Sequence, residues 1–125
     1  MWSIGRRVTK EQLINVLFAC LVAWVIAGAI KTIIGNDRPF VVENLEPLTL
    51  TIPRDGAFPS VHSAVAFGMA SSVWIYDRKV GIGYFLLALF VGVGRIMSNV
   101  HFPLDVIGGV VIGVMSAFAI KKIRA

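Results

Sequence analysis

Four long apolar runs separated by short polar stretches dominate the chain. The first, Leu13 to Ile30, holds Asn15 as its one strongly polar side chain. As a helix it would be about 27 Å long, close to the hydrocarbon thickness of a bilayer. The second runs from Phe58 to Tyr76, the third from Val80 to Val93 and the fourth from Phe102 to Ile120. A single short apolar run would also suit a buried helix of a soluble protein, but three of them beside a full span do not. The pattern predicts an all-α, polytopic membrane bundle of four transmembrane helices, folded as one domain over residues 1–125. Gly81, Gly83, Gly92, Gly94, Gly108, Gly109 and Gly113 suit close helix contact in lipid.

Composition agrees with the pattern. Hydrophobic residues make up 57% and charged residues 15% of 125 positions, far more apolar than an ordinary soluble domain. Arg6, Arg7 and Lys10 ahead of an apolar stretch, with Ala27-Gly28-Ala29 near its end, also resemble a secretory signal. The apolar run exceeds the ~7–15 residues of such signals, so the segment is expected to be retained. Cys20 stands alone, which leaves no disulfide framework and no cysteine metal site, and reads as a small packing residue.

The net charge of +5 points away from nucleic acid once its placement is considered. With four spans, Arg6, Arg7, Lys10, Arg78, Lys79, Lys121, Lys122 and Arg124 share one side of the membrane, and Lys31, Arg38, Arg54 and Arg95 the other. Under the positive-inside rule both termini are expected in the cytoplasm. Alternating helices then bring Lys31, Arg38, Ser60, His62, Arg95, His101 and Asp105 to the extracytoplasmic surface.

Three cations in a partly dehydrated cavity repel one another, and an anion with several acceptor oxygens relieves that repulsion. Phosphate suits Lys31, Arg38 and Arg95, because arginine forks match its oxygens and lysine acts as a point charge. Taken singly, Lys31 also reads as an interfacial snorkelling residue, Arg38 as a loop charge and Arg95 as a partner of Asp105. Asp105 follows His101 by four residues, on one helical face if the turn begins at or before His101; Pro103 suits a first turn but would equally serve to interrupt this geometry. A carboxylate on one ring nitrogen leaves the other free as a nucleophile. The plainer reading is an interfacial His with an Asp as a helix N-terminal charge. His62, after Pro59-Ser60, suits a general acid, and Ser60 a helix cap whose first-turn amides also attract anions.

Read together, these residues resemble the type 2 phosphatidic acid phosphatase superfamily. Its Lys, six residues, Arg-Pro element matches Lys31 and Arg38-Pro39. Its Pro-Ser-Gly-His element matches Pro59-Ser60-Val61-His62, and its Ser-Arg, five residues, His, three residues, Asp element matches Gly94-Arg95, His101 and Asp105. The resemblance covers residues 28–115. It implies that Lys31, Arg38, Ser60, the Val61 amide and Arg95 bind phosphoryl oxygens. His101 would attack phosphorus to form a phosphohistidine, Asp105 would orient it and His62 would protonate the leaving group. Neither cofactor nor metal is implied, the three cations supplying the positive charge. Val61 in place of glycine restricts approach to the amide, and Gly94 in place of serine removes a hydroxyl. Members commonly have six membrane helices, so this chain is expected to be either a minimal form completed by homo-oligomerisation or a fragment.

The substrate class implied is a membrane lipid phosphate, with undecaprenyl diphosphate first by resemblance to bacterial members and phosphatidic acid or phosphatidylglycerol phosphate as alternatives. Phe40 to Ala57 carries Val41, Val42, Leu45, Leu48, Leu50 and Ile52, enough apolar surface to guide a lipid tail or simply to lie at the interface. Two other functions compete: a small four-helix anion transporter or channel, and an inactive member kept as a binding protein. Lipid phosphate turnover separates them.

Overall fold

The computed structural model describes residues 9–49, 52–53 and 55–124. Arg6, Arg7, Leu50 and Arg54, used above, lie outside the described residues. The first helix, α1, spans Lys10–Ile34. Thr9 caps it: its hydroxyl accepts from Gln12 N at 3.1 Å and the Gln12 side chain accepts from Thr9 N at 3.3 Å, which satisfies two amides at the helix start. Gly35 ends it at φ +58°, a left-handed cap that glycine adopts without a Cβ penalty. A single turn, α2, covers Pro39–Val42.

Helix α3 spans Val61–Tyr76, capped by Ser60, whose Oγ accepts from Ser63 N at 3.2 Å. Asp77 both ends α3 and caps α4, Arg78–Met97, through its carboxylate and Val80 N at 3.3 Å. Helix α5 spans Pro103–Ile123, with Pro103 in its first turn. All regular structure among the described residues is therefore helical, as the pattern predicts. The span count differs. Helices α1, α4 and α5 have the length and hydropathy to cross a bilayer. Helix α3 has 16 residues, about 24 Å, and begins three residues later than its apolar run because Ser60 sets the start.

This shorter helix is the centre of the bundle, packed against α1, α4 and α5. Small side chains make that arrangement close. Ala19, Ala23, Ala27, Ala64 and Ala70 are fully buried, while Leu17, Trp24, Leu86, Phe90 and Met115 point outward. Lipid solvates such outward side chains as well as a core would, so the interior is selected for closeness rather than for bulk. A Cβ at Gly109 would meet Ser60 O at 2.6 Å and Ser63 Cβ at 2.8 Å, and one at Gly113 would strike Ala64 O. Gly81, Gly92 and Gly108 are similarly tight, but Gly83 and Gly94 face open space, so the glycine expectation holds for five of the seven positions.

A polar clasp closes the end remote from Lys31, Arg38 and Arg95. Arg124 Nε donates to Asn15 Oδ1 at 2.7 Å, Asn15 Nδ2 donates to Tyr76 OH at 2.7 Å, and Arg124 Nη2 reaches Glu11 at 3.0 Å. It joins the start of α1 to the ends of α3 and α5. Lys31, Arg38, His62, Arg95, His101 and Asp105 gather at the opposite end.

Candidate active site

Lys31 sits in the last turn of α1, Arg38 in the connection to α2, and Arg95 in the last turn of α4. All three line one cavity of about 1160 Å³, together with His62, Val61, Asp55, Trp24 and Thr32. Lys31 does not snorkel outward: it is buried, turned towards Asp55. Arg38 is no free loop charge either. Its guanidinium donates from Nε to Asp55 O at 3.1 Å, from Nη1 to Val100 O at 3.1 Å and from Nη2 to Asp55 Oδ1 at 2.7 Å. Arg95 is half-buried, and its Nε is sealed from solvent with no hydrogen-bond partner among the described residues. A buried, unpaired guanidinium N–H at a cavity wall is costly unless a ligand meets it.

His101 lies in the loop before α5, outside the helix, so the shared helical face expected for it and Asp105 does not form. The pair meets because Asp105, in the first turn, reaches back. Its Oδ2 accepts from Phe102 N at 2.7 Å and faces His101 Nδ1 at 3.4 Å. Asp105 thus performs both tasks suggested for it, capping the helix and contacting the imidazole, and it does not pair with Arg95. On the other ring nitrogen, Arg38 Nη1 stands 3.1 Å from His101 Nε2. A guanidinium only donates, so Nε2 carries the lone pair and Nδ1 the proton, directed at Asp105. That tautomer leaves the lone pair on the ring nitrogen nearest the cations.

Burial pushes the His101 pKa below its ordinary value; the Asp105 contact opposes this, and Arg38, Lys31 and Arg95 add to it. The neutral ring is therefore favoured, the form in which an imidazole nitrogen can act as a nucleophile. It is only 2% exposed and lies behind Arg38 rather than on the cavity wall. His62 is exposed and lines both this cavity and an adjoining one of about 550 Å³. The second is almost wholly apolar, running past Val65, Met69, Tyr84 and Leu87 between α3 and α4. Trp24, Val61 and His62 are common to the two, so a polar chamber and an apolar groove meet at His62.

Ser60 is fully buried, its hydroxyl committed to Ser63 N and its own amide donating to Asp105 O at 2.9 Å. That bond ties the starts of α3 and α5 together and sets His62 relative to His101. Val61 walls the cavity and also packs on Ala23, Ala27 and Ala64, so its bulk belongs partly to the core. A Cβ at Gly94 meets nothing within 4 Å, so the missing motif hydroxyl leaves a gap rather than a rearrangement. No group of three His, Cys, Asp or Glu side chains among the described residues is placed to hold a metal.

Sequence reasoning missed Asp55 and its supports. Ala57 N donates to Asn36 O at 3.0 Å and Phe58 N to Asn36 Oδ1 at 2.9 Å, pinning the loop to the end of α1. A Cβ at Gly56 would lie 3.0 Å from Gly35 Cα and 3.1 Å from Lys31 O, so glycine is needed for this approach. The Asp-Gly pair ahead of Pro59-Ser60 was the available signal.

Comparison with known proteins bears on this arrangement. The model of the PAP2 superfamily matches residues 12–125. The bacitracin transport permease protein BcrC of Bacillus licheniformis is 36% identical over 116 residues, 89% of this chain and 56% of that protein. The undecaprenyl-diphosphatase BcrC of Bacillus subtilis is 27% identical over 94% of this chain and 61% of its own length. The chain thus spans less than two thirds of these curated relatives. The crystal structure of Aquifex aeolicus LpxE superposes with a TM-score of 0.78 at 31% identity, covering 95% of this chain and 70% of that one.

Proposed function

The chain belongs to the PAP2 superfamily, and from that premise we propose that it hydrolyses a lipid phosphate or diphosphate in the membrane, with undecaprenyl diphosphate as first-choice substrate. One observation carries the reading: Lys31, Arg38 and Arg95 converge on a single cavity beside His101, and the Arg95 Nε there has no hydrogen-bond partner among the described residues. The relative from B. subtilis named as an undecaprenyl-diphosphatase supports the choice of substrate. The apolar groove joining the chamber at His62 suits a long lipid chain.

In this mechanism the phosphoryl group enters among the three cations, and Arg38 turns from His101 Nε2 to a phosphoryl oxygen. The lone pair on Nε2 attacks phosphorus, forming the P–N bond as the P–O bond to the lipid portion breaks. His62 delivers a proton to the departing oxygen. The Nδ1 proton stays between His101 and Asp105, whose carboxylate balances the charge that the ring gains. Water then attacks the phosphohistidine, giving its proton to His62, and inorganic phosphate leaves. The cations stabilise charge that builds on the equatorial oxygens.

The end bearing the clasp also carries Lys10, Arg78, Lys79, Lys121, Lys122 and Arg124, which supports placing both termini in the cytoplasm and the site on the extracytoplasmic face. Phosphate release by the purified chain from undecaprenyl diphosphate, phosphatidic acid and phosphatidylglycerol phosphate tests the reading. Turnover of at least one, lost in His101→Ala, is expected; no release from any of them would refute it and favour transport or binding.

A further inference from the structure

Within the same phosphoryl site, and resting on that reading, Asp55 occupies a place that the mechanism does not use. Its Oδ1 lies 2.7 Å from Arg38 Nη2 and its Oδ2 3.9 Å from Lys31 Nζ, so two carboxylate oxygens bridge two of the three cations as phosphoryl oxygens would. A third oxygen would be needed to meet Arg95, whose Nε has no partner among the described residues. We propose that the Asp55 carboxylate is a tethered counter-anion: it holds the phosphoryl position of the empty site, yields it to substrate, and retakes it to displace inorganic phosphate after turnover.

Three features separate this role from that of a support for Arg38. The guanidinium is already oriented by two bonds that do not involve the carboxylate, Nε to Asp55 O and Nη1 to Val100 O. The Asp55 side chain is 63% exposed and free to swing out, while its backbone is held by the Gly56 approach and the Ala57 bond to Asn36. A side chain on a fixed tether returns at high effective concentration. Desolvation works to raise the Asp55 pKa, but the hydrogen bond from Arg38 and the charges of Lys31 and Arg38 outweigh it, so the competitor is ionised at neutral pH.

A competitor weakens every ligand of the site by the same factor, which gives the test its signature. Binding of inorganic phosphate and of vanadate is measured directly on the detergent-solubilised full chain, so that the result does not depend on turnover. Asp55→Asn keeps an acceptor for Arg38 and removes the charge. Both anions should tighten, by the same factor of about two- to fivefold, given a partly exposed ion pair. Asp37→Asn removes the same charge from the same end of the bundle without bridging Lys31 and Arg38, and should change binding less than twofold. Unchanged or weaker binding in Asp55→Asn, unequal factors for the two anions, or equal tightening in Asp37→Asn would each overturn the proposal. Binding in none of the chains would overturn the phosphoryl reading beneath it as well.

Discussion

Replacing Asp105 by Asn isolates the charge of the carboxylate behind His101. Oδ2 of Asp105 serves two donors, Phe102 N at 2.7 Å and His101 Nδ1 at 3.4 Å. The shorter bond will keep the amide oxygen of an Asn at that point, so Nδ1–H retains an acceptor and the tautomer is preserved. Only the ionic part of the contact is lost. A hydrogen bond to a charged group is worth about 1.5–3 kcal/mol and a neutral one about 0.5–1.5, which leaves roughly 1–2 kcal/mol. If that difference is felt when the ring becomes cationic, kcat falls roughly 5- to 30-fold. KM should hardly move, because Asp105 does not line the cavity. Asp105→Ala removes the acceptor too, and should cost more. A pH profile adds a second check. The Asp105 contact raises the His101 pKa against the lowering by burial and by the cations. Without the charge that pKa falls further, neutral His101 persists to lower pH, and the acid limb moves down. Phosphate release from undecaprenyl diphosphate in mixed micelles, followed across pH, measures both. A kcat within twofold of wild type for both variants, or an acid limb that moves up, would refute the assignment.

Other outcomes follow from the same geometry. His62→Ala should damage hydrolysis of a lipid monoester by about 10²–10⁴-fold and that of nitrophenyl phosphate far less, since a nitrophenolate leaves without a proton; equal losses would remove His62 from the acid role. Gly109→Ala should cost about 1–3 kcal/mol in thermal unfolding in detergent, because the added methyl meets Ser60 O and Ser63 Cβ at 2.6 and 2.8 Å; an unchanged melting temperature would show that α3 and α5 can separate freely. Turnover should persist in chelator and be inhibited by vanadate, as three side-chain cations supply the charge; loss in chelator with recovery on magnesium would contradict this. Single cysteines near Glu46 and Lys79, in a Cys20→Ala background, should label from opposite sides of intact cells, and impermeant labelling of the Lys79 site alone would invert the topology.

What the linear sequence determined was the solvent, the element type and the residues that meet at one end of the bundle as a candidate site. Apolar runs too long for anything but helices specify a bilayer, and polar residues confined to the ends of those runs must meet at a membrane surface when helices alternate. Lys31, Arg38, Ser60, His62, Arg95, His101 and Asp105 were therefore legible, as was the cap formed by Ser60. The contacts among them were not. His101 stands outside α5 because Pro103 starts the helix, and Asp105 recovers the pair by reaching back to Phe102 N. Arg38 is set by carbonyls of residues 55 and 100, far apart in sequence and brought to it by loops. Those loops follow a path made by backbone bonds such as Phe40 N to Asn99 O and Leu48 N to Ser98 O. Periodicity carries no information about such bonds, because every residue but proline offers the same donor and acceptor. The place of Asp55 depends on how closely Gly56 can approach Gly35, a clearance between two segments that only the packed bundle defines.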